Sequence, residues 1–217
     1  MRQTGNYLFL LVFLLISLVL IMSVRNLFLV KVIGLCLISG LCLSAYLITR
    51  RHRDQLILIP LGIVALVVYV MLHTTNEPIY LKLLDKVLWL GFAGYLILIV
   101  FRQIFNSKSI NSQEIYGAIS IYLLTGFVFS QIYEVILVFR PDAIAFDTKN
   151  FIGGLQTGDI IYFSFVTLAT VGYGDLTPAN PISRAACVIE SVIGIMYISI
   201  FIARFVSIHS RNSAEKK

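Results

Sequence analysis

Six long apolar runs set the terms for any fold this chain can adopt. They cover residues 7–24, 28–49, 56–72, 87–105, 115–139 and 185–208, and only small or isolated polar residues interrupt them. A helix rises 1.5 Å per residue, so about 20 apolar residues cross the roughly 30 Å hydrocarbon core of a bilayer. Open strands are excluded there because their backbone groups would go unpaired. The runs therefore predict an all-α membrane protein with six transmembrane helices. Composition agrees: 59% of the 217 residues are hydrophobic and 13% charged, against about 45–50% and about 25% in soluble domains. That excludes a typical soluble enzyme and a disordered chain alike. The first run follows Arg2 as a signal peptide would. It is too long for one and lacks a small-residue cleavage site, so it is read as a retained helix.

One stretch breaks the pattern. Residues 140–158 are polar and glycine-rich (Gly153, Gly154, Gly158), and 159–169 then reads DIIYFSFVTLA. Eleven residues cannot cross a membrane, yet they are too apolar for an exposed loop. Asp159 is the expected N-cap of a short helix starting at Ile160. TVGYGD follows at 170–175, then Pro178 and Pro181, with the last helix starting near Ser183. A short apolar helix and a Gly-rich loop between two long helices predict a re-entrant hairpin. Irregular backbone at that depth is tolerated only inside protein or along a watery path.

The loop has chemistry of its own. Glycines at alternate positions allow left-handed dihedrals, which turn successive carbonyls to one side. A ladder of inward carbonyls replaces an ion's hydration shell. One chain supplies too few oxygens, so several must ring the axis, with Val171 and Tyr173 pointing outward as wedges. Thr170 adds a hydroxyl, the helix C-terminus near Ala169 aims its negative end at the cavity, and Asp175 adds charge at the outer mouth.

Residues 162–178, YFSFVTLATVGYGDLTP, resemble the pore loop of potassium channels, and the likeness extends over 113–207. It is closest to the bacterial ion-channel family with a potassium-channel pore and no large cytoplasmic domain. The resemblance implies a selectivity filter of Thr170, Val171, Gly172, Tyr173 and Gly174, with K+ at the carbonyls of Thr170, Val171, Gly172 and Tyr173. It implies a homotetramer in membrane lipid, permeant K+ and no other cofactor, and no nucleic-acid partner. Asp175 caps the filter, and Tyr162 stands where relatives tether that acid, so a Tyr162–Asp175 hydrogen bond is expected. Ala169 replaces a threonine common in the family, and Val166 holds a position that is acidic in some members. Gly194 matches the family's inner-helix hinge, with close helix packing the alternative. Ile195, Ile198 and Ile202 share one face at i, i+3, i+7 and would line the cavity.

Two acids lie within apolar runs, Glu134 and Glu190. Glu190 sits about 140° around its helix from Ile195 and is expected behind the filter as a bracing support. With both ends of the pore module and the N-terminus placed in the cytoplasm, the inside carries ten basic residues: Arg2, Arg50, Arg51, Arg53, Arg102, Lys108, Arg204, Arg211, Lys216 and Lys217. The outside carries seven: Arg25, Lys31, Lys82, Lys86, Arg140, Lys149 and Arg184. The bias supports a multi-pass protein of the cell membrane with cytoplasmic termini. The net charge of +6 reads as loop charge near anionic lipid. The fourth run carries no basic residue between Lys86 and Arg102, so steep voltage gating is not expected.

The expected organisation is a four-helix region at 1–110, a pore module at 111–208 and a short tail at 209–217. Cys36, Cys42 and Cys187 are expected to be buried packing residues, and His52, His73 and His209 lack metal-ligand spacing. Two competing readings are a non-conducting channel subunit and a GxGD intramembrane aspartyl protease using Asp175. The protease needs a second membrane Asp, whereas Asp54, Asp85, Asp142, Asp147 and Asp159 read as loop or segment-end residues.

Overall fold

A computed structural model describes residues 7–24, 27–49, 52–74, 79–107, 111–146 and 154–214. Six long helices appear: α1 (Tyr7–Ser23), α2 (Leu27–Ile48), α3 (His52–Thr74), α4 (Ile79–Phe105), α5 (Ser112–Phe139) and, last in the chain, α7 (Pro181–Ala214). Between α5 and α7 lie the strand β1 (Ile144–Phe146), the short helix α6 (Thr157–Leu168) and the strand β2 (Leu176–Pro178). Four described segments are long and apolar enough to cross a membrane: Arg53–Met71, Ile79–Phe105, Ser112–Phe139 and Pro181–Ile208. At 17 residues, α1 rises about 26 Å.

Neighbours in sequence pack side by side from α1 to α5, and α1 then closes on α5 and touches α6. The interior of this ring is apolar. Leu10, Leu14, Leu41, Ile48, Leu96 and Leu124 are fully buried there. The same cluster takes in Phe201 of α7, so regions 1–110 and 111–208 share one core. Outward faces stay apolar too, with Leu8, Ile16 and Val19 of α1 and Val188 and Ile193 of α7 exposed. A helix that is hydrophobic all round needs lipid or protein on every side.

A second cluster packs Phe129 and Tyr133 of α5 against Ile160 and Phe163 of α6 and against Ile144 and Leu176 of the strands. The strands are antiparallel, with Ile144 opposite Pro178 and Phe146 opposite Leu176. Apolar periodicity does not foresee three-residue strands. They tie the loop leaving α6 to the loop entering it, and Ala179 N–H donates to Ala143 O at 2.8 Å.

Element starts differ from expectation where caps decide them. The short helix begins at Thr157, not Ile160. Gln156 is its N-cap, and Asp159 acts three residues in, where its carboxylate accepts the Gln156 amide at 2.9 Å. That is the reach-back half of a capping box. The last helix begins at Pro181, where a missing N–H costs nothing, and Asn180 Oδ1 accepts the Ser183 amide at 2.8 Å. The fourth helix starts at Ile79, eight residues before its apolar run, so Asp85 sits inside α4 and is buried. Cys36 is exposed and Cys42 and Cys187 half-buried, which corrects the expectation of burial for all three.

Candidate functional site

The hairpin expected from the sequence is built by α6 and the loop behind it. Helix α6 packs on both α5 and α7. It ends at Leu168 with Ala169 as its C-cap, and its last turn holds the loop's first amides: Thr170 N–H donates to Thr167 O and Val171 N–H to Val166 O, both at 2.9 Å. Thr170, Gly172 and Gly174 then have φ of 57°, 57° and 84°. Left-handed and ordinary residues therefore alternate along 170–174. Two of the three were legible as glycines. The third is a threonine, a β-branched residue that pays for this conformation. A Cβ at Gly172 or Gly174 would meet nothing within 4 Å, so backbone conformation, not space, selects glycine there.

Residues 169–175 are exposed in the single chain. Val171 and Tyr173 do project from the loop, at 52% and 71% exposure. Tyr173 stacks its ring parallel to Tyr162 with centroids 6.4 Å apart. The Tyr162 hydroxyl donates to Asp175 Oδ2 at 2.8 Å, the pair expected from the sequence. Burial and the adjacent Asp175 carboxylate push the Tyr162 phenol up to about 12, so it stays a donor at physiological pH. Asp175 also accepts the Leu176 amide at 3.0 Å.

Behind α6, Glu190 is fully buried. Tyr133 donates to its Oε2 at 2.6 Å, and Ser164 Oγ lies 2.5 Å from its Oε1. Ser164 Oγ is also 2.7 Å from Gly126 O. One hydroxyl proton serves one of those oxygens at a time. A protonated Glu190 supplies the second proton and completes the set. The carboxyl thus links α5, α6 and α7. Burial of an acid demands partners, but nothing in the sequence names Ser164 and Tyr133 as those partners.

Gly194 is buried where α7 crosses the end of α6, and a Cβ there would run into Leu168 O. Ser191 reinforces the crossing by donating to Thr167 O at 3.2 Å. Ile195, Ile198 and Ile202 are exposed at 56%, 48% and 59% on the open side of α7. Further along, the Arg204 guanidinium donates to the carbonyls of Ile104, Phe105 and Ser107 at the end of α4. It also lies 4.5 Å from the Phe105 ring centre.

At the opposite end of α4, Lys86 forms an ion pair with Glu134, a partnership the sequence reading missed. Among the described residues no group of three or more potential ligands could hold a metal ion. Of the basic residues counted for orientation, Arg2, Arg25, Arg50, Arg51, Lys108, Lys149, Lys216 and Lys217 lie outside the described residues, as do Asp147 and Gly153.

A short helix thus stands propped between two long ones and presents a loop of alternating handedness. Residues 117–211 match the family model described as "Ion channel". Over 49 residues, 23% of its length, the chain is 41% identical to "Two pore potassium channel c" of Oryza sativa subsp. japonica. It spans 11% of that relative's length. Both similarities point to an ion channel and not to an enzyme.

Proposed function

We propose that this protein is a potassium-selective channel conducting K+ passively through a fourfold filter at the cell membrane. One observation carries the reading: the alternation of left-handed Thr170, Gly172 and Gly174 directly after α6. Such alternation turns successive carbonyls the same way, and four copies would ring an axis with oxygens that replace K+ hydration. The filter is then Thr170, Val171, Gly172, Tyr173 and Gly174. Asp175 and Tyr162 brace its outer end and Glu190 its back. The exposed faces of Val171 and Tyr173 meet neighbouring subunits of a homotetramer. All six long helices span the bilayer, with both termini cytoplasmic.

Ile195, Ile198 and Ile202 wall the inner cavity, where an apolar constriction closes by dewetting. Gly194 is needed for close approach to Leu168, and its role as a hinge is secondary to that contact. Helix α4 carries no basic residue between Lys86 and Arg102, so steep voltage dependence is not expected. The test is flux from liposomes holding the purified protein alone. Potassium flux far above sodium flux is the expected result. Comparable fluxes would sink the selective-channel reading, and no flux at all would favour a non-conducting subunit.

A further inference from the structure

The second half of α7 presents two opposite faces. Ile195, Ile198 and Ile202 lie exposed on one of them. Arg204 comes two residues after Ile202, which at 3.6 residues per turn is about 160° around the helix. It reaches the end of α4. A helix's last carbonyls lack partners within the helix and carry the negative end of its dipole. Arg204 Nη2 donates to Ile104 O and Ser107 O, each at 3.3 Å, and to Phe105 O. The guanidinium also lies 4.5 Å from the Phe105 ring centre. Phe201 is buried beside it and meets Phe101 and Phe105 edge-on, with centroids 6.4 and 5.8 Å apart.

An arginine near a helix end can lay its stem along apolar surface and leave its head in water. Arg204 turns inward instead. Its Nε is buried without a hydrogen-bond partner among the described residues, which is unfavourable for a dry N–H. The contacts with α4 offset that loss. Helix α4 is itself fixed, with Phe92, Leu96, Ile99 and Val100 buried in the ring of helices. A rigid post therefore holds α7 from the side opposite its isoleucine face.

We propose that Arg204 is a positioning residue for the inner gate. Its clamp on the end of α4 holds the second half of α7 back from the pore axis and keeps the gate open. The proposal rests on the reading of Ile195, Ile198 and Ile202 as the pore wall. With the clamp made, the isoleucine faces of neighbouring subunits stand apart and water fills the constriction. With it released, those apolar faces converge and expel water, which shuts the pore. Helix α4 carries no basic residue between Lys86 and Arg102, so its movement reaches the gate mechanically and not electrically.

The test is single-channel recording of the purified full chain in planar bilayers. Arg204→Gln removes the charge, and its open-to-closed ratio should fall about tenfold, the scale of a partly buried cation at a helix C-terminus. Unitary conductance and potassium-over-sodium selectivity should stay as in the parent. Arg204→Lys restores a cation with three donors and should recover most of the loss. Phe105→Leu keeps the carbonyls and removes the ring beside the guanidinium, so the ratio should fall about threefold. It decides the question if Arg204→Gln does not fold. An unchanged or raised ratio in Arg204→Gln, or in Phe105→Leu where it stands in, overturns the clamp. So does Arg204→Lys faring no better than Arg204→Gln, which would make the loss one of packing. A parent that conducts potassium selectively keeps the channel reading whatever the variants do. A parent that passes no potassium removes that reading and the clamp together.

Discussion

Tyr162 and Asp175 stand 13 residues apart and meet through a 2.8 Å hydrogen bond that joins the early part of α6 to the far end of the 170–175 loop. The loop is thereby held at both ends, by the last turn of α6 and by this tether. Tyr162→Phe removes the tether without changing the ring stack on Tyr173. A hydrogen bond to a charged acceptor is worth roughly 1.5–3 kcal/mol when buried and less when exposed, as here. Faster loss of current during long depolarisation is expected, read by patch clamp. Currents that hold as in the parent would remove the tether from the account.

Gly172→Ala and Gly174→Ala place a Cβ on left-handed backbone, at about 1–2 kcal/mol per site. Neither meets a steric obstacle within its own chain, so each variant should still fold and assemble. Potassium flux from liposomes should nonetheless fall steeply, because the carbonyls lose their alignment. Undiminished selective flux in both variants would contradict the filter assignment.

Glu190→Gln and Glu190→Ala should part company. Glutamine can accept from Tyr133 and donate an N–H to Ser164, keeping three helices joined. Alanine removes the link and leaves a cavity at a fully buried position, at about 2–5 kcal/mol, while Ser164 keeps Gly126 O as acceptor and Tyr133 keeps only the weaker Cys187 Sγ. A large loss of thermal stability is expected for alanine and a small one for glutamine, measured on purified protein. Equal stability in both would argue against a bracing role. The pH dependence of current in Glu190→Gln asks a separate question, and an unchanged profile dismisses proton sensing at this site.

Gly194→Ala should destabilise the pore module, since the new methyl overlaps the Leu168 carbonyl, a backbone atom at the end of α6. The expected signature is a lower unfolding temperature together with altered conduction. Altered gating with unchanged stability would instead favour a hinge.

Ile198→Asn adds a polar group to the exposed isoleucine face of α7 and should raise open probability or leak if that face lines a dewetting gate. Single-channel recording reads this directly, and an unaltered open probability would place the gate elsewhere.

The helices and the hairpin were legible because lipid leaves few alternatives: long apolar runs must be helical, and a run of 11 cannot cross. Gly172 and Gly174 announced their conformation through composition. Thr170 did not, because a β-branched residue at φ 57° reflects the surrounding loop and not its own preference. The start of α6 was misplaced because Asp159 suits both N-cap and third position, and only the reach to the Gln156 amide distinguishes them. The Lys86–Glu134 and Ser164–Glu190 contacts join distant helices, and their register depends on how the ring of helices closes.

That closure carries a consequence for how the chain is made. The Tyr7 amide donates to Gln113 Oε1 at 3.0 Å across 106 residues, and α1 packs along α5 and against α6. During synthesis α1 has no lasting partner on that flank until more than a hundred further residues have emerged. Helix α1 is locked on that flank only after α5 and α6 have been made. Long-range contacts of this kind are slow to form and leave intermediates exposed, so truncating the pore module should strand α1 and send the nascent protein to quality control.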